Sequence, residues 1–344
     1  MALFSRRDKS ASPGSDAPDA APEDEASAAP ADQGSPAADE SVPHVGISLS
    51  TFGQGAASAR PLDSDAAAAD AAAPARPAAT APEATQTVPG MIDNALLQAA
   101  LRALPERPES ADVLNVMRQA LQGPLYVRAQ GDAQALLAAG EPLNLAVTSH
   151  EDQRFLLVFT GGLSMQQSAA EEAGGTTSVV GQSAANILRM AVDAKYDGIY
   201  LDHTVVGARL VLPTELIQKA IDEGAPAPFE LKSLVSGERT DATPSQVVDA
   251  LTRVPVWVAG GTDAAGQIGL AEARTPEGVR RVEVYSHPLE VLAMGRGDRP
   301  LPLTPEQLAT VLASDPAITG LVIDAAGPWI EIDRDALLPL LALA

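Results

Sequence analysis

The sequence predicts an α+β chain: two tandem related domains, each a small antiparallel or mixed sheet covered by helices, preceded by a long disordered tail. Three observations carry this. Ala, Pro, Asp, Glu, Ser and Gly dominate residues 1–90. Beyond them, short runs of strand period alternate with runs of helical period. And the pattern GIYLDHTVVGARLVLPTEL, Gly198–Leu216, returns as GLVIDAAGPWIEIDRDAL, Gly320–Leu337.

The tail, residues 1–90, holds five Lys/Arg against thirteen Asp/Glu. Such a segment buries too little apolar surface to offset the entropy of ordering it, and its prolines interrupt the helix its alanines favour. One stretch differs. In HVGISLSTFG, His44–Gly53, Val45, Ile47 and Leu49 alternate with small residues and Phe52 follows. This period of two marks a linear interaction motif, able to add a strand to a sheet edge of its own chain or of a partner.

Order is expected from Met91. Ile92, Leu96, Leu97, Ala100, Leu101 and Leu104 recur at helical spacing up to Pro105. A second helix from about Ser110 carries Val113, Leu114, Met117 and Leu121, and ends at Gly123-Pro124. PLYVRA is a strand, and LNLAVTS and RFLLVFTG form an antiparallel hairpin across HEDQ. A helix is expected near Leu163, the segment EEAGGTTS as a loop, and another helix over Gln182–Ala194. GIYLD and ARLVLP pair as a hairpin, and PTELIQKAIDEG is a helix with Pro near its start and Gly at its end.

The first domain is thus 91–224, followed by a linker over 225–241. The order then restarts over 242–344: PSQVVDALTR, VPVWVAGG, QIGLAEA, RVEVYSHP, LTPEQLATVLA, GLVID, PWIEID, RDALLPLL. VPVWVAGG matches GPLYVRAQ, and RVEVYSHP matches RFLLVFTG. Asp202 corresponds to Asp324 and Gly207 to Gly327, so the repeat reads as an internal duplication. Each unit of roughly 100 residues is long enough for its own core.

A net charge of −22 repels phosphate backbones and argues against nucleic acid as a partner. The absence of cysteine excludes disulfides, thiolate catalysis and Cys-based zinc sites. The start MALFSRRDKSAS lacks the order of a signal peptide, and no run approaches the roughly 20 apolar residues of a membrane span. A cytoplasmic location without membrane association is expected.

No residues announce catalysis, a cofactor or a metal. His44, His150, His203 and His287 show no ligand spacing. Ser149-His150 and Ser286-His287 do not align between the repeats, there is no G-x-S-x-G elbow, and GGTTSVVGQS lacks the phosphate-loop lysine. GRGDRP, Gly295–Pro300, reads as a loop. Asp202 and Asp324 stand where one strand turns into the next, and read as turn-fixing carboxylates. His203, beside Asp202, has Ala325 as its counterpart.

The helix IDNALLQAALRAL, the helix ending in ALQGPLYVRA, the hairpin ending in LLVFTG and the strand pair IYLD–ARLVLP before TELIQKAI together resemble the SseB-type domain, a family named from an enhanced-serine-sensitivity phenotype. The resemblance covers 91–224 and extends to 242–344 either as a diverged second copy or as that family's separate C-terminal domain. The acidic tail resembles family members from high-GC bacteria. The resemblance implies a fold and brings no catalytic residues.

The function expected is that of a non-enzymatic protein–protein interaction or regulatory module, with a protein partner, a homodimer or an intramolecular domain pairing. The alternative is a small-molecule-binding protein or enzyme, which the family's phenotype links to amino-acid (serine) metabolism. Its pocket would lie between the two domains, lined by Tyr126, Arg154 or Asp202.

Overall fold

The computed structural model describes residues 77–171, 177–224, 229–262, 268–275 and 278–344. All lie in one compact unit, Val45–Ala344. The motif Val45, Ile47, Leu49, Phe52 falls outside the described residues.

The first half runs α1 Ala95–Arg102, α2 Ser110–Ala120, β1 Pro124–Gln130, α3 Ala133–Ala139, β2 Val147–His150, β3 Gln153–Phe159, α4 Gly162–Glu171, β4 Thr177–Ser183, α5 Ala184–Asp193, β5 Gly198–Leu201, β6 Leu210–Pro213 and α6 Thr214–Glu223. Its sheet has the order β4-β1-β3-β5-β6, with β2 against β3. The pair β3–β5 is parallel and the others are antiparallel. The second half runs α7 Glu230–Ser236, α8 Thr243–Leu251, β7 Val256–Thr262, β8 Ile268–Leu270, β9 Glu272–Arg274, β10 Arg280–Tyr285, α9 Pro288–Ala293, β11 Arg299–Leu303, α10 Pro305–Ser314, β12 Ile318–Ile323, β13 Ile330–Asp333, a 3-10 turn Arg334–Leu337 and α11 Leu338–Leu341. Its sheet has the order β11-β7-β10-β12-β13, again with one parallel pair, β10–β12. The fold is therefore α+β with two mixed sheets.

Alternation along the strands separates the faces. Leu125, Val127, Leu156 and Val158 point into the main core with α1, α2, α5 and α6. Tyr126, Leu157 and Phe159 point the other way and meet Met91 and Met165. Both faces of the first sheet are thus covered, where one covered face would have sufficed for an antiparallel sheet. In the second half Val256, Val258, Val282 and Val284 fill one core, while Ala259 and Tyr285 meet Val291 on the opposite face.

Several elements differ from the expectations. The first helix begins at Ala95, because the Asn94 side chain accepts a hydrogen bond from Leu97 N at 3.2 Å and caps it there. The helix expected from Gln182 begins at Ala184, capped by Ser183, and residues 177–183 form the edge strand β4 along the whole of β1. Gly181 permits this close approach: a Cβ there would sit 2.7 Å from the Tyr126 ring. The helix α3 was not foreseen. GRGDRP ends inside β11, which pairs with β7.

The segment 225–241 is no bare linker. It carries α7, whose Leu231 and Val235 enter the second core, and α7 packs on α8 as α1 packs on α2. The stretch 77–90 is likewise bound. Trp329 donates through Nε1 to Pro77 O (2.9 Å) and through its backbone N to Ala79 O (3.0 Å). At its other end Thr85 and Thr87 bond the Asp93 carboxylate at 2.9–3.0 Å. This strap ties the second sheet's end to the start of α1.

Candidate functional site at the junction of the halves

Two loops follow the parallel strands in each half, and in each an aspartate joins them. Asp202 follows β5 with φ +44°, and Asp324 follows β12 with φ +55°. Each backbone N extends its sheet, Asp202 to Val158 O and Asp324 to Val284 O, both at 3.0 Å. The Asp202 carboxylate accepts from Thr160 N (2.9 Å) and the Thr160 hydroxyl. The Asp324 carboxylate accepts from Ser286 N (2.7 Å) and the Ser286 hydroxyl (2.6 Å). Asparagine and aspartate tolerate a left-handed backbone better than other side chains, so the residue type suits the turn as well as the bonds. Gly207 and Gly327, at φ +79° and +81°, close the two loops.

Burial raises the pKa of both carboxyls. At Asp202 the Thr160 and Ser164 bonds oppose the rise. At Asp324 burial, aided by nearby Glu290, pushes it up to about 6 against Lys232 and Ser286. His203 takes no part in the Asp202 bonds to Thr160. Its ring lies against Phe159 and Tyr200, with centroids 5.8 and 5.9 Å away.

Around Asp324 the two halves meet. Glu290 on α9 is fully buried and binds Arg118 Nη1 of α2 at 2.8 Å and Lys232 Nζ of α7. Burial would raise its pKa, but Lys232 and Arg118 outweigh burial and hold the carboxyl below its ordinary range. Arg118 Nη1 also donates to Gly327 O at 3.1 Å. His287, equally buried, accepts from Leu289 N at Nδ1 (3.1 Å), which leaves Nε2 to donate to Ala220 O (2.9 Å). Burial holds this ring neutral, with its pKa lowered to about 4. Leu289, 2 % exposed, enters the first half's core.

A cleft of about 960 Å³ lies nearby, lined by the strap residues Thr80–Ala84, the start of α1, Tyr126, the end of β4, and Ser233, Ser236 and Arg239 at and just after the end of α7. Tyr126 is the one residue of the expected pocket that lines it. Arg154 instead lies 5.3 Å over the Tyr196 ring, and Asp202 is sealed behind Thr160.

Other candidates resolve into structure. The Ser286 hydroxyl serves Asp324 while the His287 ring serves Leu289 and Ala220, so the two adjacent residues form no dyad. In GRGDRP the Arg296 guanidinium bonds Asp298 (2.8 Å), the Tyr285 hydroxyl (2.9 Å) and Glu283. Among the described residues no three His, Asp or Glu side chains converge as a metal site requires, and no helix is long and apolar enough to cross a membrane.

Arg118, Lys232 and Glu290 went unnoticed in the sequence, because they come together from positions 58 and 172 apart. Thr160 and Ser286 carried a signal: each directly follows the strand in the matched runs RFLLVFTG and RVEVYSHP. The two loop pairs define a chain with one hydroxyl–carboxylate turn in each half and a buried ionic junction. Comparison with models of known protein families, with characterised proteins and with solved structures finds no match.

Proposed function

We propose that the chain is a non-enzymatic interaction module made of two tandem α+β domains, diverged copies of one unit related to the SseB-type domain. The matching strand orders, the single parallel pair in each sheet and the paired Asp turns support the duplication. One observation carries the binding role. Counting three residues on from the aspartate's hydroxyl partner, Ser286 leads to Leu289 and Thr160 leads to Leu163. Leu289 is 2 % exposed, buried against the other half, whereas Leu163 is 55 % exposed. The second copy uses this position to hold a neighbour, whereas in the first copy the strap covers the start of α4, with Leu163 N donating to Thr87 Oγ1 at 3.1 Å, and leaves the Leu163 side chain exposed. The upstream motif Val45, Ile47, Leu49 and Phe52 would act beside it as a tethered second contact, raising the local concentration of a partner.

Affinity capture by the full chain, wild type against Leu163→Glu, tests this. The variant is expected to lose bound protein while melting at the wild-type temperature. Equal capture by both would remove α4 as the binding face.

The cleft of about 960 Å³ favours a second reading, a small-molecule site beneath the strap with Tyr126 in its wall. A ligand held there would raise the melting temperature in proportion to its occupancy. A panel of amino acids and nucleotides that leaves the melt unmoved counts against it.

A further inference from the structure

We propose that residues 45–52 pair with the free edge of β4 in the same chain and add a strand to the first sheet. The pairing is internal, and stands whether or not α4 binds a partner.

The main chain of β4 is half used. On β1, Arg128 O and Gln130 N bond Ala146 N and Asn144 O at 2.8 Å, on the side away from β4. Leu125, Val127 and Ala129 therefore face β4, opposite Gln182, Val180 and Ser178. The N–H and C=O groups of Thr177, Val179 and Gly181 point outward, where β4 has no strand neighbour among the described residues. All three residues are exposed, Val179 at 47 %.

The second half closes the matching edge. There β11 lies against β7, with Pro300 opposite Ala259 and Pro302 opposite Trp257. Ala259 O accepts from Ala271 N at 2.9 Å on the other side of β7, so both prolines stand where an N–H would point outward. Proline offers none, which blunts an edge against a further strand. Counted from Tyr126 and Trp257, the β4 positions that match Pro300 and Pro302 are Val179 and Gly181. The remaining edge strands, β2, β6, β8, β9 and β13, are three or four residues long. Thr177–Ser183 has seven residues and neither proline nor charge.

The chain upstream supplies a fitting occupant. Residues 41–59 hold no Asp, Glu, Lys or Arg, in a chain carrying −22. Near β4, Arg128 is buried and Asp132 caps α3. Past Gly181 the cleft wall adds Glu83, Asp93, Glu238 and Arg239. Three carboxylates against one guanidinium disfavour the acidic parts of the tail, but not this neutral run. Val45, Ile47 and Leu49 alternate with small residues, so a paired strand lays them on one face, beside exposed Val179. Strap residues 80–84 line the same cleft as Gly181, Gln182 and Ser183, so the chain is anchored at the end of β4. Residues 53–76, 24 in all, join the motif to the strap. An unconstrained chain of that length spans about 27 Å, and such a tether gives an effective concentration on the order of 1 mM. Folded back in this way, the motif shields the open edge from other chains and is itself withheld until displaced.

Amide exchange of the full chain, read residue by residue, tests the pairing. Val179 and Gly181 N–H groups are expected to exchange about tenfold or more slower than in a chain lacking residues 45–52. Ser178, Val180 and Gln182, bonded to β1, should exchange alike in both. Val179→Pro, which copies Pro300, should free the Gly181 amide while Val180 stays protected. Equal exchange of Val179 and Gly181 with and without residues 45–52 overturns the proposal. Slowing that grows with protein concentration would place another copy's segment on the edge, and overturns the internal pairing.

Discussion

Arg118 on α2 places its guanidinium 2.8 Å from the Glu290 carboxylate on α9, and the two side chains are 9 % and 0 % exposed. With Lys232 on the far side of the same carboxylate, this ties α2, α7 and α9 into one block. It joins the two halves, together with Phe229 and Leu289, which enter the first half's core. Removing one partner of a buried ionic set leaves the others desolvated and uncompensated, at roughly 3–5 kcal/mol, whereas apolar replacement of the whole set costs far less. Arg118→Met is therefore expected to destabilise by about 3 kcal/mol. The triple change of Arg118, Glu290 and Lys232 to Met should recover most of that loss. Urea unfolding of the wild type, the single variant and the triple variant measures it. A triple variant no more stable than the single would show that the ions stabilise by more than their mutual compensation.

Stability near pH 5 depends on two buried groups that titrate in opposite senses. The His287 pKa is lowered from 6.5 to about 4, so as pH falls the unfolded chain takes the proton first and stability drops, by about 3 kcal/mol over the whole window. The Asp324 pKa is raised from 3.8 to about 6. Here the folded chain takes the proton first. Its contribution is complete below the unfolded value, lost as pH rises through 6, and of similar size. Both groups face Glu290 and Lys232, so they share one environment. Relative to the wild type, His287→Gln should gain stability between pH 6 and 4, and Asp324→Asn should lose it. Unfolding free energies at half-unit pH steps would show the two curves diverging. Parallel curves would mean that neither group titrates in this range.

The central strands were legible because Val127, Val158 and Val284 sit in short, nearly continuous apolar runs bounded by turn residues, and these runs are buried on both faces. The paired aspartates were legible because in both runs Asp follows the strand and Gly follows the Asp, with gaps that differ by two residues. What escaped was set by distance along the chain. Thr177–Ser183 has no strong apolar period, and becomes a strand because β1 offers it a partner along its full length. The junction of Arg118, Lys232 and Glu290 unites single charges from three helices, each of which alone reads as a solvated side chain. The strap was hidden by its composition. Residues 77–90 look like the tail before them, and are held by the backbone carbonyls they offer to Trp329 and Arg239 and by Asp93.

If Asp202 and Asp324 fix turns, side-chain shape matters more than charge. Asparagine keeps the acceptor and tolerates φ near +50°, whereas alanine loses both bonds and strains the backbone. Asp202→Asn is expected to cost about 1 kcal/mol and Asp202→Ala about 3 kcal/mol, with the same ranking at Asp324 at neutral pH. Thermal melts of the four variants decide this. An Asn variant as damaging as the Ala variant at either site would mean that the ionised carboxylate itself is required there.

Gly181 tests whether β4 belongs to the sheet by sequence or by fit. A methyl group at this position would press 2.7 Å from Tyr126 Cε1. The ring cannot swing far, because its hydroxyl donates to Ile92 O at 2.9 Å. Overpacking of this kind costs typically 1–3 kcal/mol. Since β4 is an edge strand with β1 as its strand neighbour among the described residues, the cheapest relief is to lift β4 from β1 rather than unfold the core. Gly181→Ala is therefore expected to speed amide exchange across Thr177–Ser183 while leaving β3 and β5 protected. A companion Tyr126→Leu change, which vacates the space, should restore the exchange rates. Uniformly faster exchange over the whole sheet would mean that β4 is integral to the core, and that the close contact of Gly181 with Tyr126 holds the first half together.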